Sequence, residues 1–230
     1  FVDCLGLFLT HNAAIVVLPL RAGEAGYPWL MQRRFGVPLA DSLRSLLWLR
    51  LQDAAVLATL AALWLPPFAP ATRAGWAAAL VTAWLFAALL GPRWMSMAVA
   101  RWPAASRFQA AWLAHRNDRI GWGLCAANWG VKLAVLALLL QALAPLDLAA
   151  GLRGALGGEL ASVLPLQGPA GLGTYEAGVW AATRVDGGAT AQVAAGALAL
   201  HAFSLAVALL SAAMILPWAR RPAAMLERTR

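Results

Sequence analysis

Long apolar stretches alternate with short polar stretches along the whole chain of 230 residues. Crossing a bilayer takes roughly 18 or more mostly apolar residues in a helix. Four stretches meet or approach that length, with approximate bounds 45–65, 74–91, 120–143 and 190–216. Prolines follow closely after each of them, as expected where a helix ends. The pattern therefore predicts an all-α, polytopic integral membrane protein.

Three further apolar segments are less regular. Residues 1–18 are apolar up to Pro19 but contain the polar side chains Asp3, His11 and Asn12. Segments 147–163 and 174–184 flank a glycine-rich patch, and the second of them is too short to cross a bilayer. We expect these segments to be parts of broken helices.

Two patches rich in proline and glycine, residues 18–26 and 164–178, each contain one glutamate. Proline removes a backbone donor and glycine permits unusual dihedral angles, so both patches should interrupt helices. Matched interruptions in two halves of a membrane protein indicate a transport or binding site. The residues expected to break the helices are Pro19, Gly23, Pro165, Gly168 and Pro169.

Composition supports a membrane protein and sets its orientation. The chain is 62% hydrophobic and 12% charged, against about 25% charged in soluble domains. Its net charge of +8 comes from arginines placed between the apolar spans, which favours a membrane orientation signal over nucleic-acid binding. The basic stretches 21–44, 93–119 and 220–230 are therefore expected in the cytoplasm, and the bias toward Arg over Lys and toward Ala, Leu and Trp suggests a bacterial genome.

The orientation has a consequence for the second patch. Span 120–143 leaves the cytoplasm and the last span returns, so residues 144–186 begin and end outside. A re-entrant hairpin hinged at Gly168–Gly173 satisfies this. Residues 1–18 either form a mirror-image hairpin, which would give an inverted repeat, or cross from outside. Because the chain starts at Phe1 inside an apolar run, we expect residues 1–230 to be one transmembrane domain truncated at its N-terminus.

Three motifs resemble those of the flippase-like transmembrane family named for the membrane region of lysylphosphatidylglycerol synthase, or multiple peptide resistance factor. The first is an Asn followed by Leu-Pro-x-Arg-x-Gly-Glu, matched by Asn12 and 18–24. The second is an Arg-x-x-Asp pair, matched by Arg50 and Asp53. The third is Leu-Pro followed by Gly-x-Gly-x-x-Glu, matched by Leu164, Pro165, Gly171, Gly173 and Glu176.

The resemblance implies an inner-membrane protein that moves lipids or lipid-linked intermediates across the bilayer. One departure is His201 in the last span, where the family tends to carry arginine. A second is that no aminoacyl-transferase domain follows Arg230, so we expect no synthase activity. The sequence also contains no catalytic motif and no metal-ligand spacing, and we expect no enzyme activity and no cofactor.

Glu24 and Glu176 lie within apolar patches. Ionisable groups inside a membrane are costly, which makes them candidates for function. Alternatively they act locally, Glu24 by pairing with Arg21 and Glu176 by favouring the positive end of a half-helix. The two interpretations can both hold.

The cationic candidates have the same two interpretations. Arg50 and Asp53, three residues apart, face one side of a helix and can form a structural pair, or Arg50 can bind a phosphate headgroup. Lys132, the only lysine, is expected to neutralise Glu24 or Glu176, or to bind phosphate. His201 can relay protons or make a helix–helix hydrogen bond. The candidate substrate-binding residues are Asn12, Arg21, Glu24, Arg50, Asp53, Lys132, Gly171, Gly173, Glu176 and His201.

The favoured hypothesis is therefore transport of an anionic phospholipid or polyprenyl-linked lipid. Two alternatives stay open: the membrane part of a lipid-modifying transferase, and a non-catalytic scaffold in glycolipid assembly. The expected partners are membrane lipids, with a transferase and a second copy of the chain as further candidates, and no nucleic acid.

Overall fold

The computed structural model describes residues 2–65, 69–102, 118–163, 168–184 and 190–219, together with residues 106 and 109. All regular structure in these residues is helical. The α-helices are α1 (Val2–Val17), α2 (Gly26–Phe35), α3 (Leu39–Trp64), α4 (Pro70–Arg101), α5 (Arg119–Leu143), α6 (Leu148–Val163), α7 (Thr174–Thr183) and α8 (Ala191–Ala219).

Three of the described helices are long and apolar enough to cross a membrane, namely Leu39–Trp64, Arg119–Leu143 and the Ala191–Ile215 part of α8. The shorter helix Val2–Val17 is also apolar. These helices confirm the predicted all-α, polytopic class, and three of them coincide closely with predicted spans.

Helix α4 differs from its prediction. The sequence suggested an end at Gly91-Pro92, but the helix continues through both residues to Arg101. A proline inside a helix removes one hydrogen bond and displaces one carbonyl, which kinks a helix more often than it ends one in a membrane. Of the predicted basic stretch 93–119, the first part is therefore helical, and most of its remainder lies outside the described residues.

Both predicted interruptions are present as short 3₁₀ helices, which we call the first break (Pro19–Ala25) and the second break (Pro169–Gly171). In the second break Ala170 and Gly171 have φ values of 54° and 74°, and Gly173 follows with 82°. Such left-handed backbone ends regular α-helix and favours glycine. The two breaks contact each other, although they lie in opposite halves of the chain.

Helices α6 and α7 form a closely packed hairpin on either side of the second break. The backbones meet at Gly157 and Gly178, where a Cβ on either glycine would collide with the carbonyl oxygen of the other. Small residues allow this close approach of helices within membranes. The hairpin coincides with the segments 147–163 and 174–184 predicted from the sequence.

The first half of the chain is arranged differently. Helix α1 packs against α8 and the first break, while α2 packs more extensively against α3 than against α1. Helices α1 and α2, both in the described part of the chain, therefore lack the close pairing that is seen between α6 and α7. The inverted repeat stays a prediction.

The apolar core lies among α5, α6, α7 and α8, with a contribution from α3. Its fully buried members include Leu140, Leu156, Val179, Val193 and Leu200. Large apolar side chains also cover the outside of the described helices, as lipid-facing surfaces require. Polar side chains within this apolar surround therefore call for an explanation.

Candidate functional site

Arg50 bridges the first break and helix α3. Its Nε lies 3.3 Å from Glu24 Oε1, an ion pair outside hydrogen-bond geometry, and its Nη1 donates to Asp53 Oδ2 at 2.9 Å. The predicted Arg50–Asp53 pair is thus present. Glu24 is held from α3, whereas the side chain of Arg21, its expected neighbour, lies outside the described part of the chain. One guanidinium therefore contacts two carboxylates.

Asp53 connects α3 to α5. Its second oxygen, Oδ1, accepts a hydrogen bond from Trp129 Nε1 at 2.9 Å and lies 3.5 Å from Cys125 Sγ. Sequence reasoning missed both partners because they lie more than 70 residues away along the chain. A carboxylate with all these partners is held in one orientation.

Lys132 follows Trp129 by one helical turn and reaches a different carboxylate from those expected. Its Nζ donates to Glu159 Oε2 at 2.7 Å and lies 5.0 Å from the centre of the Trp129 ring. Glu159, on α6, was not among the residues selected from the sequence. Its signal was available, since it is the only acidic residue of a mostly apolar helix.

Glu176 has two partners at the start of α7. Oε2 accepts the backbone N–H of Gly173 at 2.7 Å, and Oε1 lies 2.7 Å from His201 Nδ1 on α8. The first contact caps the half-helix as the local interpretation required. The second contact joins Glu176 to His201, which lies 25 residues away, so their spacing in the sequence did not predict it. The local interpretation of Glu176 is therefore confirmed, and its role in function stays a prediction.

Tyr175 lies near two pairs of the second half, Lys132–Glu159 and Glu176–His201. Its ring centre is 4.7 Å from that of His201, and the ring packs on Gly158, next to Glu159. Only 4% of the residue is exposed, and its hydroxyl has no hydrogen-bond partner among the described residues. A buried hydroxyl without a partner is costly, so Tyr175 lowers the stability of the bundle at this point.

The other predicted residues lie around these pairs. Gly171 is adjacent to His201, where an added Cβ would lie 3.4 Å from the imidazole Cε1. Gly23 packs on the backbone of Ala14, and Gly168 and Pro169 begin the second break. Pro19 begins the first break, while Pro165 lies outside the described residues.

Asn12 is half-buried on α1 and belongs to none of the ion pairs. Its neighbour His11 is buried, with its ring centre 5.3 Å from that of Tyr27 on α2. Burial raises the pKa of the Tyr27 phenol. The described residues contain no candidate metal site. No group of three His, Cys, Asp or Glu side chains among them is arranged to hold a metal ion.

The long apolar helices, the two breaks in contact and the ion pairs between helices define a multi-pass α-helical membrane protein. Residues 1–212 match the family model described as the lysylphosphatidylglycerol synthase TM region. The chain belongs to this family, as its three motifs indicated. No curated protein and no solved structure matched the chain.

Proposed function

We propose that the protein moves an anionic phospholipid or a polyprenyl-linked lipid across a bacterial inner membrane. One observation carries the proposal: the two breaks touch, and the carboxylates of Glu24 in the first break and of Glu176 shortly after the second each pair with a side chain of another helix, Arg50 or His201. Broken backbone at membrane depth is found where it is buried in protein or lines a water-filled cavity. Paired charges next to such breaks are typical of transport pathways.

Each group has a role in this proposal. Arg50 and Lys132, together with Arg21, attract the phosphate of the headgroup, because guanidinium and ammonium groups bind phosphate strongly. Glu24 and Glu176 balance the charge, and His201 accepts or donates a proton beside Glu176. No step breaks or forms a covalent bond, so the protein acts as a transporter and not as an enzyme.

The proposed orientation follows from the arginines. The basic stretches 21–44, 93–119 and 220–230 lie in the cytoplasm, and the α6–α7 hairpin enters the membrane from outside. The two halves of the chain then have inverted topology, an arrangement found in many secondary transporters.

A second candidate function is supported by the family itself, which is described as the membrane region of a synthase. In that case the chain is the membrane part of a lipid-modifying transferase, acting with a catalytic domain on another segment or chain. Co-purification of a transferase, together with transport only in its presence, would favour this alternative.

Reconstitution into liposomes tests the proposal. The protein is placed in phosphatidylcholine vesicles with a trace of fluorescent phosphatidylglycerol, and quenching of the outer leaflet reports lipid movement. Arg50→Gln should slow movement at least about tenfold, since one charged phosphate contact is worth on the order of 1.5–3 kcal/mol.

The matched control is Arg44→Gln on the same helix. Arg44 also pairs with an aspartate three residues away, Asp41, but that aspartate is 52% exposed whereas Asp53 is 25% exposed. This variant should transport at the wild-type rate. Equal rates for vesicles with and without wild-type protein would contradict the proposal. Mass spectrometry of lipids retained in mild detergent then identifies the substrate, by comparison with Glu176→Gln.

A further inference from the structure

The Lys132–Glu159 pair is asymmetric in its exposure. The two groups are 2.7 Å apart, yet the Lys132 side chain is 44% exposed and the Glu159 side chain only 11%. The Lys132 side chain is therefore partly accessible from outside the described helices, while the Glu159 side chain is mostly buried. An anion can reach Lys132 without displacing Glu159 from its position.

Charge decides what happens when such an anion arrives. The ion pair is neutral, so a phosphodiester at Lys132 brings one negative charge close to the Glu159 carboxylate. Like charges repel strongly where the effective dielectric constant is low, and the repulsion favours protonation of the carboxylate. One proton on Glu159 restores neutrality and leaves the ammonium for the incoming anion.

We propose that Lys132 and Glu159 form a proton-dependent anion site, which binds a phosphodiester headgroup at Lys132 together with one proton at Glu159. The net reaction adds one anion and one proton to the protein. The ammonium keeps its charge, and the proton taken from solvent forms the O–H bond of the Glu159 carboxylic acid. This inference rests on the proposed function, which is lipid movement. Binding one proton with each lipid anion makes that movement electroneutral and dependent on the proton gradient.

The groups around the pair fit this assignment. Trp129 presents a ring face to Lys132, which favours a cation there with or without Glu159 ionised. Tyr175, on α7, lies within electrostatic range of Glu159 and of Glu176. The charged and titratable side chains on the helices packed around the pair are Asp41, Arg44, Arg50 and Asp53 on α3, Arg119 and Cys125 on α5, Arg153 on α6, Tyr175 and Glu176 on α7 and His201 on α8.

Most of these groups have partners of their own. Asp53 is held by Arg50 and Trp129, and Glu176 is held by His201. Arg153 also has an interaction within the protein. The ion pair that an anion at Lys132 disturbs directly is therefore the one with Glu159.

Titration calorimetry measures both parts of the net reaction. Short-chain phosphatidylglycerol is titrated onto the purified chain in phosphatidylcholine nanodiscs, with empty nanodiscs subtracted. Its phosphodiester keeps one charge across neutral pH, so any change with pH arises in the protein. Buffers with different ionisation enthalpies should show uptake of about one proton, and affinity should fall about tenfold per pH unit once Glu159 is ionised.

Two variants separate the contributions. Glu159→Gln, which resembles the protonated acid, should bind at neutral pH as tightly as the wild type does at low pH, without a pH slope. Lys132→Met should bind at least about tenfold more weakly at every pH, while Lys132→Arg should retain the slope. Asp41→Asn, which changes an exposed carboxylate on α3, is the control and should match the wild type.

An unchanged pH slope in Glu159→Gln, or binding without proton uptake, would overturn the inference. Parallel titration with dimethyl phosphate distinguishes a lipid headgroup site, which prefers phosphatidylglycerol, from a site for the free anion. The two proposals fail separately. Proton-linked binding without lipid movement contradicts the proposed function alone, and lipid movement with binding independent of pH contradicts this inference alone.

Discussion

The imidazole Nδ1 of His201 lies 2.7 Å from the Oε1 atom of Glu176, and this contact joins the middle of α8 to the first turn of α7. The contact exists because the second break places the start of α7 beside α8, inside the bundle. The same carboxylate caps α7 through Gly173. One side chain thus stabilises the broken backbone and places a titratable pair next to it.

Glu176→Gln should separate these two roles. Glutamine at the third position of a helix can still cap it, so the stability of the protein should change by less than about 1 kcal/mol. The variant loses the charge paired with His201. If the proton that drives transport must pass the Glu176–His201 pair on its way to Glu159, the response of transport to a pH gradient across liposomes should disappear.

Asp147→Asn is the control for this prediction. Asp147 also accepts a backbone N–H in the first turn of a helix, α6, but is not paired with a histidine. Its transport should follow the pH gradient as in the wild type. A Glu176→Gln protein that still responds to the gradient would exclude a proton-carrying role for this residue.

The hydrogen bond between Asp53 and Trp129 should be measurable as a coupling energy. Asp53→Ala and Trp129→Phe each remove one partner, and each should destabilise the protein by about 1–3 kcal/mol. Because the two groups are in direct contact, the double variant should be less destabilised than the sum by about 0.5–3 kcal/mol. Unfolding in detergent, followed for all four proteins, gives this value. If the loss of stability in the double variant equals the sum of the two single losses, the contact does not stabilise the fold.

Gly23→Ala should disturb the first break. An added Cβ would collide with the backbone of Ala14 on α1, which cannot move aside as a flexible side chain can. We expect a loss of about 1–3 kcal/mol in stability and weaker retention of lipid, since Glu24 is the next residue. Gly26→Ala is the matched control, because nothing lies within 4 Å of its added Cβ. Equal melting temperatures for the two variants would contradict the packing of the first break on α1.

Gly157→Ala should loosen the α6–α7 hairpin for the same reason, through a collision with the carbonyl oxygen of Gly178. The expected loss is about 1–3 kcal/mol. Gly130→Ala on α5 adds its Cβ to open space and should stabilise the helix by about 0.5–1 kcal/mol. Opposite shifts in melting temperature, measured in the same detergent, would support the close contact of the two half-helices. A shift of the same sign would argue against it.

Much of the fold could be predicted from local sequence. Proline and glycine act on the backbone at their own positions, which is why the segments around the second break were located closely. The predicted helix end at Gly91-Pro92 was wrong, because a helix that packs against its neighbours tolerates one missing backbone donor. The Arg50–Asp53 pair was predictable because three residues within a helix bring side chains together.

The other contacts of the site were not predictable. Glu24 and Arg50, Lys132 and Glu159, and Glu176 and His201 are each more than 20 residues apart. Nothing in their spacing selects one carboxylate for Lys132 over another. Glu159 was overlooked because it lies outside the motifs, although its charge in an apolar helix was itself a signal.

The sequence by itself determined the class of protein, the approximate spans and the two breaks, because hydrophobic length and backbone chemistry act locally. The tertiary structure alone decided that the breaks touch and which charges neutralise each other. Those choices depend on how helices pack, and the packing is governed by close contacts such as Gly157 with Gly178. A buried charge pairs with the opposite charge that the packing brings close to it, because an unpaired charge inside an apolar bundle is costly.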